Sequence, residues 1–204
     1  GDRIEVTANV ENGIVVELKY HAFGCYAILT AASILSEWAL NKTLEEGGTM
    51  NLCKAESRHI PGMLCLLRQV GQVHHEIRPD LFRSNAQKYG PSQVLGMLDK
   101  SDTPIFVAVE ENTVLGYGFC MFETFHDHSV MTDRTTLYID DICVLEECRG
   151  KHIGTAIYNE IVRYAKYRGC YNVTLNVWCC NEGAMKFYES LGMKPQKVGM
   201  EAIL

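Results

Sequence analysis

The chain has 204 residues, 47% of them hydrophobic and 22% charged, with a formal net charge of −6. That composition suits a globular protein with room for one large domain, or for a domain plus a small module. The acidic balance leaves no basic surplus to displace counterions from a nucleic-acid backbone, and no 18-residue apolar run reads as a membrane span, so neither nucleic acid nor membrane is an expected partner.

The chain opens with a hairpin pattern. Ile4, Val6, Ala8 and Val10 alternate with polar residues, Asn12-Gly13 is a two-residue turn signal, and Val16, Leu18 and Tyr20 alternate again. A helix is expected from near Cys25 to about Leu40, with Ile28, Ala31, Ala32, Leu35 and Trp38 on one side. Gly47-Gly48-Thr49 breaks the pattern, which divides the chain into residues 1–48 and 50–204.

The second piece predicts a strand over 51–55 and helices over 60–76 and 92–98. Strands follow over 105–110, 114–125 and 135–145, then a helix over 152–168 and a strand over 172–179. A helix over 182–191 and a tail strand over 197–203 close the chain. A three-strand meander between helical layers gives the class α+β, or mixed α/β.

The nine cysteines are odd in number, lie mostly in apolar runs and show no C-x-x-C spacing. With no signal peptide in view, they read as reduced, buried thiols of a cytoplasmic protein. Adjacent Cys179-Cys180 read as a strand end and a loop thiol. His74-His75 and His126-x-His128 lack a nearby third ligand at metal-site spacing, so no metal site is expected.

Two phosphate motifs fail. Gly116-Tyr117-Gly118 lacks a third glycine and a following helix, and Lys151 precedes Gly154-Thr155 where a P-loop needs the reverse order. What stands out is "CRGKHIGTAIYNEI", Cys148 to Ile161. Ile153, Ile157 and Ile161 form an apolar helical stripe, yet Arg149 and Lys151 sit at the helix start. Cations are unfavourable at that positive dipole end unless an anion joins them, and a small-residue turn with free N–H groups suits a phosphate.

This strand, turn and helix resemble the acetyl-CoA signature of the GNAT N-acetyltransferases, Gln/Arg-x-x-Gly-x-Gly/Ala. Arg149 through Gly154 match, except that His152 stands where glycine is usual. "HHEIRPDLF", "PIFVAVEENTVLGYGF" and "NVWCCNEGAMKFYESLGMK" fall in the family's order, and the resemblance covers residues 50–204. It implies the GNAT acyl-CoA N-acyltransferase fold and acetyl transfer from acetyl-CoA directly to a primary amine of a small molecule or peptide. Homodimerisation stays open. The resemblance places the pyrophosphate on Arg149, Gly150, Lys151, His152, Ile153, Gly154 and Thr155. It pairs the pantetheine with Ile142, Cys143 and Val144, and brings Asn181 to the coenzyme.

For the departing thiolate the family uses a tyrosine on the last helix, which Tyr188 matches. By spacing alone, Ala184, Phe187, Tyr188 and Leu191 are equally a core stripe. An alkylamine arrives protonated, with a pKa of about 10.4, so a base is needed. Asp140 is the first choice and Glu123 the alternative; alternation puts Asp140 and Asp141 on opposite faces of a strand. A role for these acids through water, or at the strand edge, stays open. Cys143 reads as a space-filling strand residue rather than a nucleophile.

Residues 1–46 resemble the first part of NifU/IscU-type iron–sulfur scaffolds through Gly1-Asp2, Phe23-Gly24-Cys25 and Lys42-Leu44-Glu45. Among the cluster ligands of that family, Cys25 and Asp2 are matched. The leading expectation is an acetyltransferase with a truncated scaffold-like appendage. The rival is an iron–sulfur accessory protein with a non-catalytic GNAT domain.

Overall fold

A computed structural model describes residues 3–11, 14–23 and 50–203. The chain forms two compact units, Gly1–Thr49 and Met50–Leu204. In the first, β1 (Arg3–Glu11) and β2 (Ile14–Phe23) pair antiparallel. The register sets Ile4, Val6 and Ala8 opposite Ala22, Tyr20 and Leu18, with a shift at Asn9/Val10. The helix expected from Cys25 lies outside the described residues.

The second unit carries a five-stranded sheet of order β3-β4-β5-β6-β7. Its strands are β3 (Asn51–Lys54), β4 (Ile105–Glu110), β5 (Thr113–Phe125), β6 (Arg134–Val144) and β7 (Asn172–Leu175). All neighbours are antiparallel except β6 and β7, which run parallel. Helices α1 (Ile60–Ile77) and α2 (Pro91–Leu98) follow β3, α3 (Ile153–Tyr167) makes the crossover from β6 to β7, and α4 (Glu182–Ser190) follows β7. The meander and its crossover make the unit α+β, as the sequence predicts. None of the described helices is long and apolar enough to cross a membrane.

The sheet buries both faces. Met63, Leu66 and Leu67 of α1 and Val94 of α2 pack on Ile105, Val107, Val109, Tyr117, Phe119 and Cys143. On the opposite face, Ile153, Ile157, Ile161 and Ala165 of α3 pack on Phe106, Ala108, Leu115, Cys120, Leu137 and Ile139. The apolar stripe read from the sequence of α3 is therefore its sheet-facing side.

Gly116 and Gly118 find their reason here. A Cβ on Gly118 would lie 2.7 Å from Ile161 Cδ1, and one on Gly116 would lie 2.9 Å from both the Cys143 carbonyl and Ile157 Cδ1. The two glycines let α3 settle onto the middle of the sheet.

Two strand expectations are corrected. β7 ends at Leu175, not Cys179, because its pairing with β6 stops at Ile139. The expected strand over 197–203 is irregular, with Val198, Met200 and Ile203 exposed. A strand is held by a ladder partner, and no sheet strand lies beside this tail among the described residues. The reading of the thiols as buried holds fully for Cys120 and Cys143, whereas Cys65, Cys179 and Cys180 are exposed.

The close approach at Gly116 gives a test. Gly116→Ala forces a methyl against a backbone carbonyl and should destabilise the protein by about 1–3 kcal/mol, read as a lower urea midpoint with unchanged slope.

Candidate active site

The site grows from one irregularity in β6. Phe119 pairs with Asp141 but Cys120 pairs with Ile139, so Asp140 is an extra residue, a β-bulge. Before it, Leu137 and Ile139 face α3; after it, Asp141 and Cys143 face α1 and α2. Strict alternation would have set Asp140 and Asp141 on opposite faces. The bulge instead turns both carboxylates to the α1–α2 side, which corrects the sequence expectation.

The two acids are then treated differently. Asp140 Oδ1 meets Lys88 Nζ at 2.7 Å, and its Oδ2 accepts from the Tyr89 hydroxyl at 2.6 Å. Asp141 Oδ2 accepts from the Tyr117 hydroxyl at 2.7 Å. The rings of Tyr89 and Tyr117 both pack on Phe119, at 5.6 and 4.9 Å. Asp140 thus has an ion pair, while Asp141, in a desolvated place, has only neutral donors, the Tyr117 hydroxyl and the Ile142 N–H. Burial lifts the Asp141 pKa to about 6, against the lowering effect of the Tyr117 hydrogen bond. A carboxyl pKa raised on folding costs stability once the group ionises. This contribution is most favourable below pH 3.8 and is lost as pH rises through about 6.

Beyond Ile139, β6 has no partner on its β7 side among the described residues. Residues 140–144 therefore border an opening between the two strands. Gln69 of α1 fixes the end of this segment. Its Nε2 donates to the Val144 carbonyl at 2.9 Å and lies 3.3 Å from Cys143 Sγ, and its Oε1 accepts from the Glu146 N–H at 3.2 Å. Burial first, then the Asp141 charge, push the Cys143 thiol up to about 12. That leaves almost no thiolate for nucleophilic attack.

The turn after β6 ends in two left-handed residues, Gly150 at φ +78° and His152 at φ +58°. His152 is the N-cap of α3 and makes no side-chain cap bond. The first intrahelical bond runs from Ala156 N–H to the His152 carbonyl, at 2.9 Å. The N–H groups of Ile153, Gly154 and Thr155 are thus left without a helical acceptor. Arg149 and Lys151 are exposed beside them, and Ile153 is buried in the core, so only its backbone faces this end. Three free donors, a positive dipole end and two cations make an anion-favouring corner.

Helix α4 approaches the start of α3 through Phe187. A Cβ on Gly154 would come within 3.2 Å of Phe187 Cζ, so that glycine sets how closely α3 and α4 approach. The next residue, Tyr188, is half-buried; burial first, then the Asp141 charge and the nearby Tyr158, Cys120 and Cys143, hold its phenol above the usual tyrosine range. It stays protonated at neutral pH and can donate. Asn181 caps α4, its Oδ1 accepting from Ala184 N–H at 3.1 Å.

Of the sequence-predicted residues, Asp140, Ile142, Cys143 and Val144 lie on β6 from the bulge onward, the 149–155 turn follows them into α3, and Tyr188 lies near enough to Asp141 and Cys143 to feel their charge, while Asn181 is seen as the cap of α4. Glu123 does not. It is exposed and pairs with Thr136, four residues along β5 from the partner of Asp141, or about 13 Å away at the strand rise. Lys88, Tyr89, Tyr117 and Gln69 are additions the sequence reading missed. Gln69 had a signal: it lies three residues after buried Leu66, on the packed side of α1. Near His126, the loop gathers Asp127 and Asp133 rather than His128, whose Nδ1 accepts from the Val130 and Met131 N–H groups. Asp133 lies 2.8 Å and Asp127 3.4 Å from the His126 ring, all three exposed and hydrogen-bonded among themselves.

Residues 71–193 match the Acetyltransferase (GNAT) family. The chain belongs to this family. Residues 1–62 match the NifU-like N terminal domain, a segment that runs past the expected boundary and into β3 and α1. An uncharacterised N-acetyltransferase of Methanocaldococcus jannaschii is 42% identical over 65 residues, 32% of this chain and 29% of that protein. A thialysine N-ε-acetyltransferase of Mus musculus is 27% identical over 130 residues, 64% of this chain and 74% of the relative. The IscU scaffold protein of Haemophilus influenzae is 33% identical over 63 residues, 30% of this chain and 50% of IscU.

Among solved structures, a mutant of the BH1408 protein from Bacillus halodurans superposes with a TM-score of 0.73 at 32% identity, covering 76% of this chain and 99% of that one. An aminoglycoside N-acetyltransferase in complex with CoA gives 0.58 at 13% identity over 78% of this chain and 97% of that one, a likeness of fold.

The GNAT signature sets glycine where this chain has His152, and the left-handed φ of +58° is the physical reason. Left-handed backbone costs a side-chain-bearing residue about 1–2 kcal/mol, partly offset by the entropy glycine loses on folding. His152→Gly should therefore stabilise the protein by about 0.5–1 kcal/mol, seen as a raised thermal midpoint.

Proposed function

We propose that the chain is an N-acetyltransferase that passes the acetyl group of acetyl-CoA directly to a primary amine of a small molecule or peptide. The observation that carries this reading is the convergence of a neutral phenol, Tyr188, and a desolvated carboxylate, Asp141, beside the unpaired end of β6 and ahead of an anion-favouring helix terminus. Family membership supports acyltransfer, and the CoA complex of the aminoglycoside enzyme supports the donor.

In this reading the pyrophosphate lies on the N–H groups of residues 153–155, with Gly150 and the backbone of His152 shaping the turn and Arg149 and Lys151 supplying charge. The pantetheine runs along Ile142, Cys143 and Val144, and the free side-chain amide N–H groups of Asn181 turn toward the coenzyme. A backbone N–H near Cys143 polarises the thioester carbonyl. The amine attacks the acetyl carbon and no acyl-enzyme forms, in keeping with the raised thiol pKa of Cys143.

The ammonium loses its first proton to solvent before attack; Asp141, rather than Asp140 or Glu123, takes the second, as the forming N–C bond makes the nitrogen acidic. Both oxygens of Asp140 are engaged by Lys88 and Tyr89, which makes Asp140 a positioning residue. Tyr188 protonates the departing thiolate. The acceptor follows from assay: thialysine, named in the mouse relative, stands first, beside polyamines, aminoglycosides and peptide N-termini. Eight free cysteines among the described residues support a reducing, cytoplasmic setting.

The likeness of residues 1–62 to NifU-type scaffolds favours a second reading, an iron–sulfur accessory protein. The cysteines of that segment are Cys25 and Cys53, against about four ligands for a cluster. That donor set does not fit a cluster held by this segment alone. Full-length protein that stays colourless after anaerobic treatment with iron and sulfide would sink this second reading.

Steady-state release of free thiol from acetyl-CoA tests the first. With Asp141 needed as the ionised base, kcat/KM should rise with pH through about 6. Asp141→Asn should abolish that limb, and Glu123→Gln should keep it. Tyr188→Phe should lower kcat by about 10²- to 10⁴-fold while acetyl-CoA affinity holds. An acidic limb retained in Asp141→Asn would assign the base elsewhere.

A further inference from the structure

Cys179 and Cys180 are adjacent, exposed and free. Because β7 stops at Leu175, neither is a strand residue. The Asn181 N–H donates to the Trp178 carbonyl at 2.8 Å, which makes the two cysteines the central residues of a β-turn. Both flanks of that turn carry structure. Trp178 stands edge-on to Phe82 at 5.4 Å, with the Arg78 guanidinium 6.0 Å from its ring. Asn181 is both the last residue of the turn and the cap of α4, the helix that carries Phe187 against Gly154 and Tyr188 beside Asp141.

We propose that Cys179 and Cys180 form a thiol-modification site: a small-molecule disulfide oxidises them to a vicinal disulfide, and closing that ring releases the cap of α4. One cysteine thiolate attacks a sulfur of the small disulfide, forming a mixed disulfide and expelling one small thiol. The neighbouring thiolate attacks the protein-bound sulfur, expels the second small thiol and closes the ring. Two protein thiols are oxidised, one small disulfide is reduced, and the two protons leave on the released thiols.

The coupling to α4 is geometric. A disulfide holds its Cβ atoms about 3.5–4.5 Å apart, closer than an ordinary trans turn brings adjacent residues. The turn must change shape, and the Asn181 N–H and its cap bond change with it. A consequence for turnover rests on the acetyltransferase reading; the disulfide does not.

The full chain is incubated with oxidised glutathione, alkylated, digested and mapped by mass. Trp178 emission is followed in a Trp38→Phe background, which leaves it the sole tryptophan. The expected result is a transient glutathione adduct, then loss of about 2 Da in the peptide holding both cysteines. Trp178 emission should shift in step, and dithiothreitol should reverse both. Cys179→Ser and Cys180→Ser should each stop at the adduct.

A wild-type peptide that stays at the adduct, or stays unmodified, overturns the site. A disulfide that forms with unchanged emission overturns the coupling. Neither readout requires catalysis. A disulfide with the emission shift, in protein that acetylates no amine, supports this inference while the acetyltransferase reading fails.

Discussion

The second unit depends on the bulge at Asp140. One extra residue in β6 does three things at once. It ends the pairing with β7, it reverses which face the following residues present, and it sets two carboxylates on the same side of the sheet. The first creates the opening between the strands. The second brings Asp141 and Cys143 under α1 and α2. The third produces two neighbouring acids that differ in partner: Asp140 is satisfied by a cation and a hydroxyl, Asp141 by neutral donors alone. Pushing the environments of two carboxylates apart is how a protein sets one aside for proton transfer. Here the asymmetry comes from Lys88 and Tyr89, in the segment between α1 and α2.

The other half of the site is a helix start arranged against ordinary preference. Cations flank the positive end of α3, its cap residue makes no cap bond, and a histidine holds a left-handed conformation better suited to glycine. Each feature costs stability in isolation. Together they expose backbone donors toward an anion, and the packing of Ile153, Ile157 and Ile161 on the sheet holds them in place. Gly116, Gly118 and Gly154 fix how closely the sheet, α3 and α4 approach. The distance from the helix terminus to the corner that holds Asp141 is therefore a packing property of the fold.

Much of this was legible in the sequence, because it rests on local signals. The helix periods of residues 50–204, the meander and the Arg149–Gly154 turn are short-range patterns, and the structure carries them at nearly the expected residues. The bulge was not legible, since a bulge is a property of two paired strands and leaves no mark on one of them. From that followed the wrong faces for Asp140 and Asp141 and the overlong β7. The tail over 197–203 alternates like a strand, but pattern without a ladder partner does not make one. Gln69 and Lys88 act across more than 50 residues of chain, a separation that no periodicity reports. The likeness of residues 1–46 to iron–sulfur scaffolds was visible in short motifs, while its extension to residue 62 was not.

In the proposed function, the exposed start of α3 receives the pyrophosphate of acetyl-CoA. Calorimetric titration of acetyl-CoA into the full chain, repeated with Arg149→Ala, tests it most directly. Saturable binding to the wild-type chain that weakens in the variant is expected. Folded wild-type protein that binds no acetyl-CoA, or a variant that binds as tightly as the wild type, would contradict it.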